Sequence, residues 1–124
     1  MKKFDKAIEN YNDALKVYPK NYLLWYNKGV TSKNQENYDE AVACFKTSMT
    51  LNPFYKNTHI QLGDIFFKQK RITQALMSYN FYLLLDPDAA ESSRVLEKLN
   101  QLVKTKNPNE RDEELELSDA DDSY

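Results

Sequence analysis

Along most of the chain apolar residues recur every three to four positions instead of alternating. In one stretch Leu23, Tyr26, Asn27, Val30 and Lys33 make a stripe at i, i+3, i+4, i+7 and i+10, and Leu24, Trp25, Gly29 and Ser32 make a second stripe beside it. Such a segment can pack one face and display another. The spacing predicts helices over about 4–17, 22–34, 38–51, 56–69, 72–85 and 90–105, separated by short joints. Asn37 ahead of Asp39 and Glu40 marks one helix start. Asp88 with Glu91 three residues on has the form of a capping box at another.

The chain also superimposes on itself. Pro19, Pro53 and Pro87 stand at i, i+34 and i+68, and the same offset aligns Ala7, Ala41 and Ala75, Gly29 with Gly63, Gln35 with Gln69, Leu51 with Leu85, and the aromatic series Tyr11, Phe45 and Tyr79. Each class has a physical reason. A small residue lets two helices cross closely, an aromatic fills the gap beside it, and a proline stops the second helix.

Trp25, Gly29, Tyr38, Ala41, Phe45, Ser48, Leu51 and Pro53 occupy the slots of the W-x-x-L-G-x-x-Y, A-x-x-x-F, P pattern, and Leu62, Gly63, Phe66, Ala75, Tyr79, Leu85 and Pro87 repeat it. On these residues the chain resembles the tetratricopeptide repeat family over roughly Met1 to Ala89. The resemblance implies an all-α fold, a right-handed superhelical stack of helix hairpins within 1–106. Its parts are a half repeat at 1–21, complete repeats at 22–55 and 56–89, and a capping helix at 90–105 whose apolar face is Val95, Leu96, Leu99, Leu102 and Val103. The chain departs from the pattern at Lys28, Ser32, His59 and Tyr82, where the family prefers Leu, Tyr, Trp and a small residue. Bulk at Tyr82 is expected to push the next helix outward.

Charge separates the two ends. Residues 110–124 hold eight acidic residues and one arginine, a net −7, whereas residues 1–109 hold sixteen basic and eleven acidic residues, a net +5. No apolar stripe runs through the last stretch, so 107–124 reads as an acidic disordered tail. It has the charge to fold back on the basic body, and Ser118 among Asp119, Asp121 and Asp122 is a candidate phosphorylation site. Cys44 is alone, no apolar run follows Lys2 and Lys3, and nothing approaches the roughly 20 apolar residues of a membrane span; the expected address is cytoplasmic, without membrane contact.

Candidate chemistry is sparse. His59 is the only histidine, so no His-pair metal site or catalytic relay assembles, and Cys44 and His59 belong to different hairpins, where packing is the expected role. Both glycines lie inside helices, which leaves no phosphate-binding loop. The expectation is therefore a non-enzyme with no cofactor, acting as a protein-interaction scaffold.

In tetratricopeptide arrays the first helix of each unit lines a concave groove. Carried over, this places Leu23, Tyr26, Asn27, Val30, Lys33 and Asn34 beside Asn57, Ile60, Gln61, Asp64, Phe67 and Lys68, with Arg94 closing the row. Asn27, Asn57 and Gln61 suit the backbone of an extended peptide, and Tyr26, Ile60 and Phe67 its side chains. The family's clamp for chaperone C-terminal carboxylates needs Lys, Asn and Arg in successive first helices. Its slots here hold Tyr26 and Val30 in one register, or Asn57 and Gln61 in the other, so no chaperone-carboxylate clamp is expected. Scattered lysines and Asp64 in the groove argue against nucleic acid. At the other end, the first helix lacks a hairpin mate and is expected to leave Ala7, Ile8 and Tyr11 partly uncovered. That edge is open to a second copy of the chain, to a separate protein, or to the rest of a longer array.

Overall fold

A computed structural model describes residues 2–105 and, among them, shows six α-helices and no strand: α1 (Lys2–Val17), α2 (Tyr22–Asn34), α3 (Tyr38–Leu51), α4 (Lys56–Lys68), α5 (Ile72–Leu85) and α6 (Ser92–Thr105). The expected acidic tail, Ser118 included, lies outside the described residues. Each helix packs chiefly on its neighbours in sequence, most extensively within the hairpins α2–α3 and α4–α5. The result is an all-α helical-repeat array in which neighbouring units share one core. Tyr22, Lys56 and Ile72 begin helices where the periodicity placed them, and the other ends agree to within about two residues.

The sequence period is a period of contacts. A Cβ on Gly29 would stand 2.7 Å from Phe45 Cε1, and one on Gly63 would stand 2.6 Å from Tyr79 Cδ1. Both rings are fully buried beside Ala41 and Ala75, which are also fully buried. Helix crossing at this distance requires glycine, because any side chain would occupy the ring's volume. The turns repeat as well. Glu36 and Lys70, one period apart, both take left-handed backbone, with φ of 61° and 60°. The N–H of Asn37 donates to Ser32 O and that of Arg71 to Phe66 O, each at 2.9 Å, closing a Schellman turn over the helix end.

Where the two repeats differ in sequence, they differ in how the same joint is made. Trp25 Nε1 donates to Pro19 O at 2.8 Å, and His59 Nε2, in the same slot, donates to Pro53 O at 2.7 Å. His59 is buried and stacks on Phe81 at 4.4 Å, so its role is packing, as the slot suggested. Cys44 has a separate partner, Glu40 Oε1 at 3.7 Å, and burial pushes its thiol up to about 11, against the pull of the Lys28 ammonium. Lys28, in a slot that favours leucine, lays its stem in the core and reaches Glu40 at 3.3 Å.

Ser48 is fully buried and donates to Tyr22 O at 2.9 Å; Tyr82 replaces it one unit later and is also buried. Of the consecutive helix pairs, α5 and α6 approach one another least. The start of α6 departs from expectation. Asp88 and Glu91 form no capping box, because the helix begins at Ser92, whose hydroxyl donates to Asp86 O at 3.0 Å, while Glu91 turns to Arg94. Asn37 behaves as expected, its Oδ1 accepting from Glu40 N at 3.4 Å.

Two substitutions test this reading in opposite directions. Gly63→Ala is expected to lower stability in urea unfolding by about 1–2 kcal/mol, since overpacking a full core outweighs the roughly 1 kcal/mol that alanine gains in a helix. Lys70→Gly is expected to raise it by about 0.5–1 kcal/mol, because glycine enters left-handed backbone without the Cβ clash.

Candidate functional site

Helices α2 and α4 are the first helices of the two hairpins, and α6 runs along α4 in the same direction, since Asp64 meets Arg94 and Phe67 meets Lys98. Side chains join them directly. Lys33 Nζ donates to Gln61 Oε1 at 2.7 Å, and Gln61 Nε2 donates to Tyr26 Oη at 3.2 Å, so one glutamine ties both ends of the α2 stripe to α4. On the other side, Arg94 Nη1 donates to Asp64 Oδ1 at 3.1 Å, and Lys98 Nζ sits 4.2 Å above the Phe67 ring. Tyr26 packs against Tyr55 and Phe45 with centroids 5.2 and 5.6 Å apart, and Asn57 Nδ2 donates to Tyr55 Oη at 3.2 Å. Burial raises the Tyr26 phenol, with the Gln61 hydrogen bond pulling the other way, so at neutral pH it stays a neutral hydroxyl.

The centre of this face is a polar cluster with an apolar counterpart one repeat earlier. Tyr79 Oη donates to Asp64 Oδ1 at 2.6 Å, and the same carboxylate accepts from Arg94. At the equivalent positions of the preceding unit, Val30 stands for Asp64 and Phe45 for Tyr79. The second unit thus adds a hydroxyl and a carboxylate together, each satisfying the other. Burial raises the Tyr79 phenol strongly, and its hydrogen bond to the carboxylate adds to this. Arg94 is partly desolvated, yet Glu91, 2.6 Å from its Nε, and Asp64 hold it firmly charged.

Most of the residues expected in the groove lie on this face. Asn27 is exposed, and Tyr26, Val30, Asn57, Gln61, Asp64, Phe67 and Arg94 are half-buried. Ile60 is a correction. It is 7% exposed and belongs to the core, against which Tyr26 packs from outside, so it has no surface to offer a ligand's side chain. Arg94 is on the face but engaged with Asp64 and Glu91. Sequence reasoning missed Lys98, although it stands one period after Asp64 in the column that begins at Val30. At the N-terminal edge Ala7, Ile8 and Tyr11 are half-buried, with α1 packed on α2, and the bare apolar residues stand at the far end of α1, Val17 and the following Tyr18. On the other side of α4, Met49, Pro53, His59, Leu62, Phe66 and Phe81 line an apolar cavity of about 500 Å³. Nothing in the helical spacing marked it; the exchange of Trp25 for the smaller His59 was the available signal. Among the described residues no group of His, Cys, Asp and Glu could hold a metal, and no helix is long and apolar enough to cross a membrane.

The Asp64–Tyr79 pairing predicts non-additive stability. Asp64→Val alone strands a buried hydroxyl and is expected to cost about 1–3 kcal/mol. Adding Tyr79→Phe recreates the Val30–Phe45 arrangement and is expected to recover most of that loss in a double-mutant cycle followed by urea unfolding.

Comparison with known proteins agrees with this architecture. Profiles described as tetratricopeptide repeat match residues 22–55 and 1–21. Small glutamine-rich tetratricopeptide repeat-containing protein 2 of Saccharomyces cerevisiae is 28% identical over 89 residues, covering 72% of this chain and 26% of that protein. The Hsp70-Hsp90 organising protein of Plasmodium falciparum is 25% identical over 103 residues, 77% of this chain and 18% of its own. The chain therefore spans about a quarter or less of the length of these relatives. Among solved structures, the first TPR of Spaghetti (RPAP3), bound to the HSP90 peptide SRMEEVD, superimposes with a TM-score of 0.76 at 23% identity, covering 83% of this chain and 82% of that one. With its repeat signature, its paired hairpins and these matches, the chain belongs to the tetratricopeptide repeat family.

Proposed function

We propose that the chain is a protein-interaction module that holds an extended segment of a partner along the shared face of α2, α4 and α6, without chemistry of its own. The observation that carries this reading is the Tyr26–Gln61–Lys33 chain of hydrogen bonds, which fixes donors and acceptors on an exposed face before any ligand arrives. Fixed groups reduce the ordering cost of binding. Exposed Asn27 and half-buried Asn57 supply amides for a peptide backbone, and Tyr26 and Phe67 supply apolar contact. The same likeness that relates the chain to an adaptor of Hsp70 and Hsp90 supports an adaptor role. The face, however, lacks the residues of a carboxylate clamp, with Tyr26 and Val30 or Asn57 and Gln61 in its slots. A nucleic-acid ligand is disfavoured by Asp64 at the centre, whose carboxylate neutralises Arg94.

A second reading rests on the open end of the array. Val17, the last residue of α1, and Tyr18 after it are 66% and 62% exposed, a surface on which a further helical unit or a second copy could pack.

Selection of binders from a random-peptide display library tests the main reading. Asn27→Ala and Tyr26→Ala are each expected to weaken a selected peptide about tenfold, roughly 1.4 kcal/mol, with unchanged helical circular dichroism. Peptides indifferent to both changes would place the binding surface elsewhere. The SRMEEVD peptide is expected to gain nothing from its free C-terminal carboxylate, so amidating it should leave its affinity unaltered.

A further inference from the structure

The shared face has a cationic side that its own hydrogen bonds do not neutralise. Lys33 and Lys68 stand at the C-terminal ends of α2 and α4, and Lys98, midway along α6, holds its ammonium over Phe67, the residue before Lys68. Because the three helices are parallel, these ammonium groups lie toward one end of the face, the end where α6 finishes. Their contacts are neutral: Gln61 Oε1 for Lys33, Tyr38 Oη at 2.7 Å for Lys68, and the Phe67 ring for Lys98. Among the described residues none of the three makes an ion pair, while Lys16, Lys28, Lys56 and Arg94 all do. Glu36 acts on Lys68 only through its field, after the Tyr38 hydroxyl.

The chain leaves the same end. After Thr105 come four residues with no acid, Lys106, Asn107, Pro108 and Asn109, and then Glu110, Arg111, Asp112, Glu113, Glu114, Leu115 and Glu116. Lys98 lies seven residues back along α6, roughly 10 Å away along the axis, and each further helix is about 8–10 Å across. An extended chain covers about 3.3 Å per residue, so residues 106–116 reach across all three lysines with slack.

Resting on the reading of this face as the binding groove, we propose that residues 110–116 of the same chain occupy its lysine-bearing end and compete with the partner's peptide. Tethering supplies the concentration. A short linker holds its segment at about millimolar, so an interaction with a Kd near 1 mM fills the site about half the time. The attraction is between exposed charges, and it fades as salt shortens the screening length from about 10 Å at 0.1 M to about 3 Å at 1 M. A tail of opposite sign on its own groove thus makes partner binding depend on displacing it.

The test is a nitrogen-15 amide spectrum of the full chain, wild type against a variant with Asp112→Asn, Glu113→Gln, Glu114→Gln and Glu116→Gln. The expected result is that the signals of Lys33, Lys68, Lys98 and their neighbours move on neutralisation, and move the same way when salt is raised in the wild type. Residues of the cavity between α3 and α5 should stay still. Unmoved lysine-end signals overturn the proposal, as do shifts confined to the cavity. Shifts that grow with protein concentration also overturn it, since they assign the acidic segment to a second copy. This readout needs no partner and so stands apart from the library experiment: a tail can fail to dock on a groove that binds peptides, or dock on one that binds none. With a selected peptide in hand, the neutralised variant is expected to bind it about twofold tighter, the factor a half-occupied site imposes.

Discussion

Everything in this array hangs on an aromatic ring lying where a side chain would otherwise be. Phe45 against Gly29, and Tyr79 against Gly63, bring the two helices of a hairpin close enough that the flanking alanines, Ala41 and Ala75, are sealed from solvent. Once that crossing is set, the direction of the next helix follows from the turn, and Glu36 and Lys70 accept left-handed backbone so that the turn can close over the helix end. Residues without special turn chemistry tolerate this because the surrounding hydrogen bonds hold them there.

On that scaffold the second unit is a variation of the first, made by exchanges that compensate one another. Tryptophan becomes histidine and keeps its hydrogen bond to the proline carbonyl, and a valine–phenylalanine pair becomes an aspartate–tyrosine pair joined by a short hydrogen bond. The serine that knits α3 to α2 becomes Tyr82, buried but without a side-chain hydrogen bond among the described residues to replace Ser48's. These exchanges move the character of the two faces apart. The side shared by α2, α4 and α6 gains charge and fixed polar groups, and on the side between α3 and α5 His59, in the slot of the larger Trp25, lines an apolar cavity.

On the proposed reading, amides on this face would hold a partner's backbone and rings would meet its side chains, and the cationic margin would favour acidic ligands. The chain carries an acidic stretch of its own within reach. Partner and tail would then meet at the lysine-bearing end, where Gln61 holds Lys33, Tyr38 holds Lys68 and the Phe67 ring lies under Lys98.

Helix number, helix limits and the repeat register were legible in the sequence because they depend on residues close along the chain or on a strict period: Gly29 and Gly63, Ala41 and Ala75, Pro19 and Pro53. The stripe that faces outward was legible for the same reason, and it located Tyr26, Asn27, Gln61 and Phe67. Periodicity could not tell that Ile60 is covered while Tyr26, one period earlier, is only half-buried, because that depends on which side chains from other helices close over each position. Nor could it show that Arg94 is bound by Asp64 from a different helix, that Ser92 and not Asp88 opens the last helix, or that a cavity sits beside His59. The sequence determined which residues repeat, since local spacing encodes a helix face; only the tertiary structure decided which of them meet, since burial and pairing are set by neighbours that the chain brings together after the helices have formed.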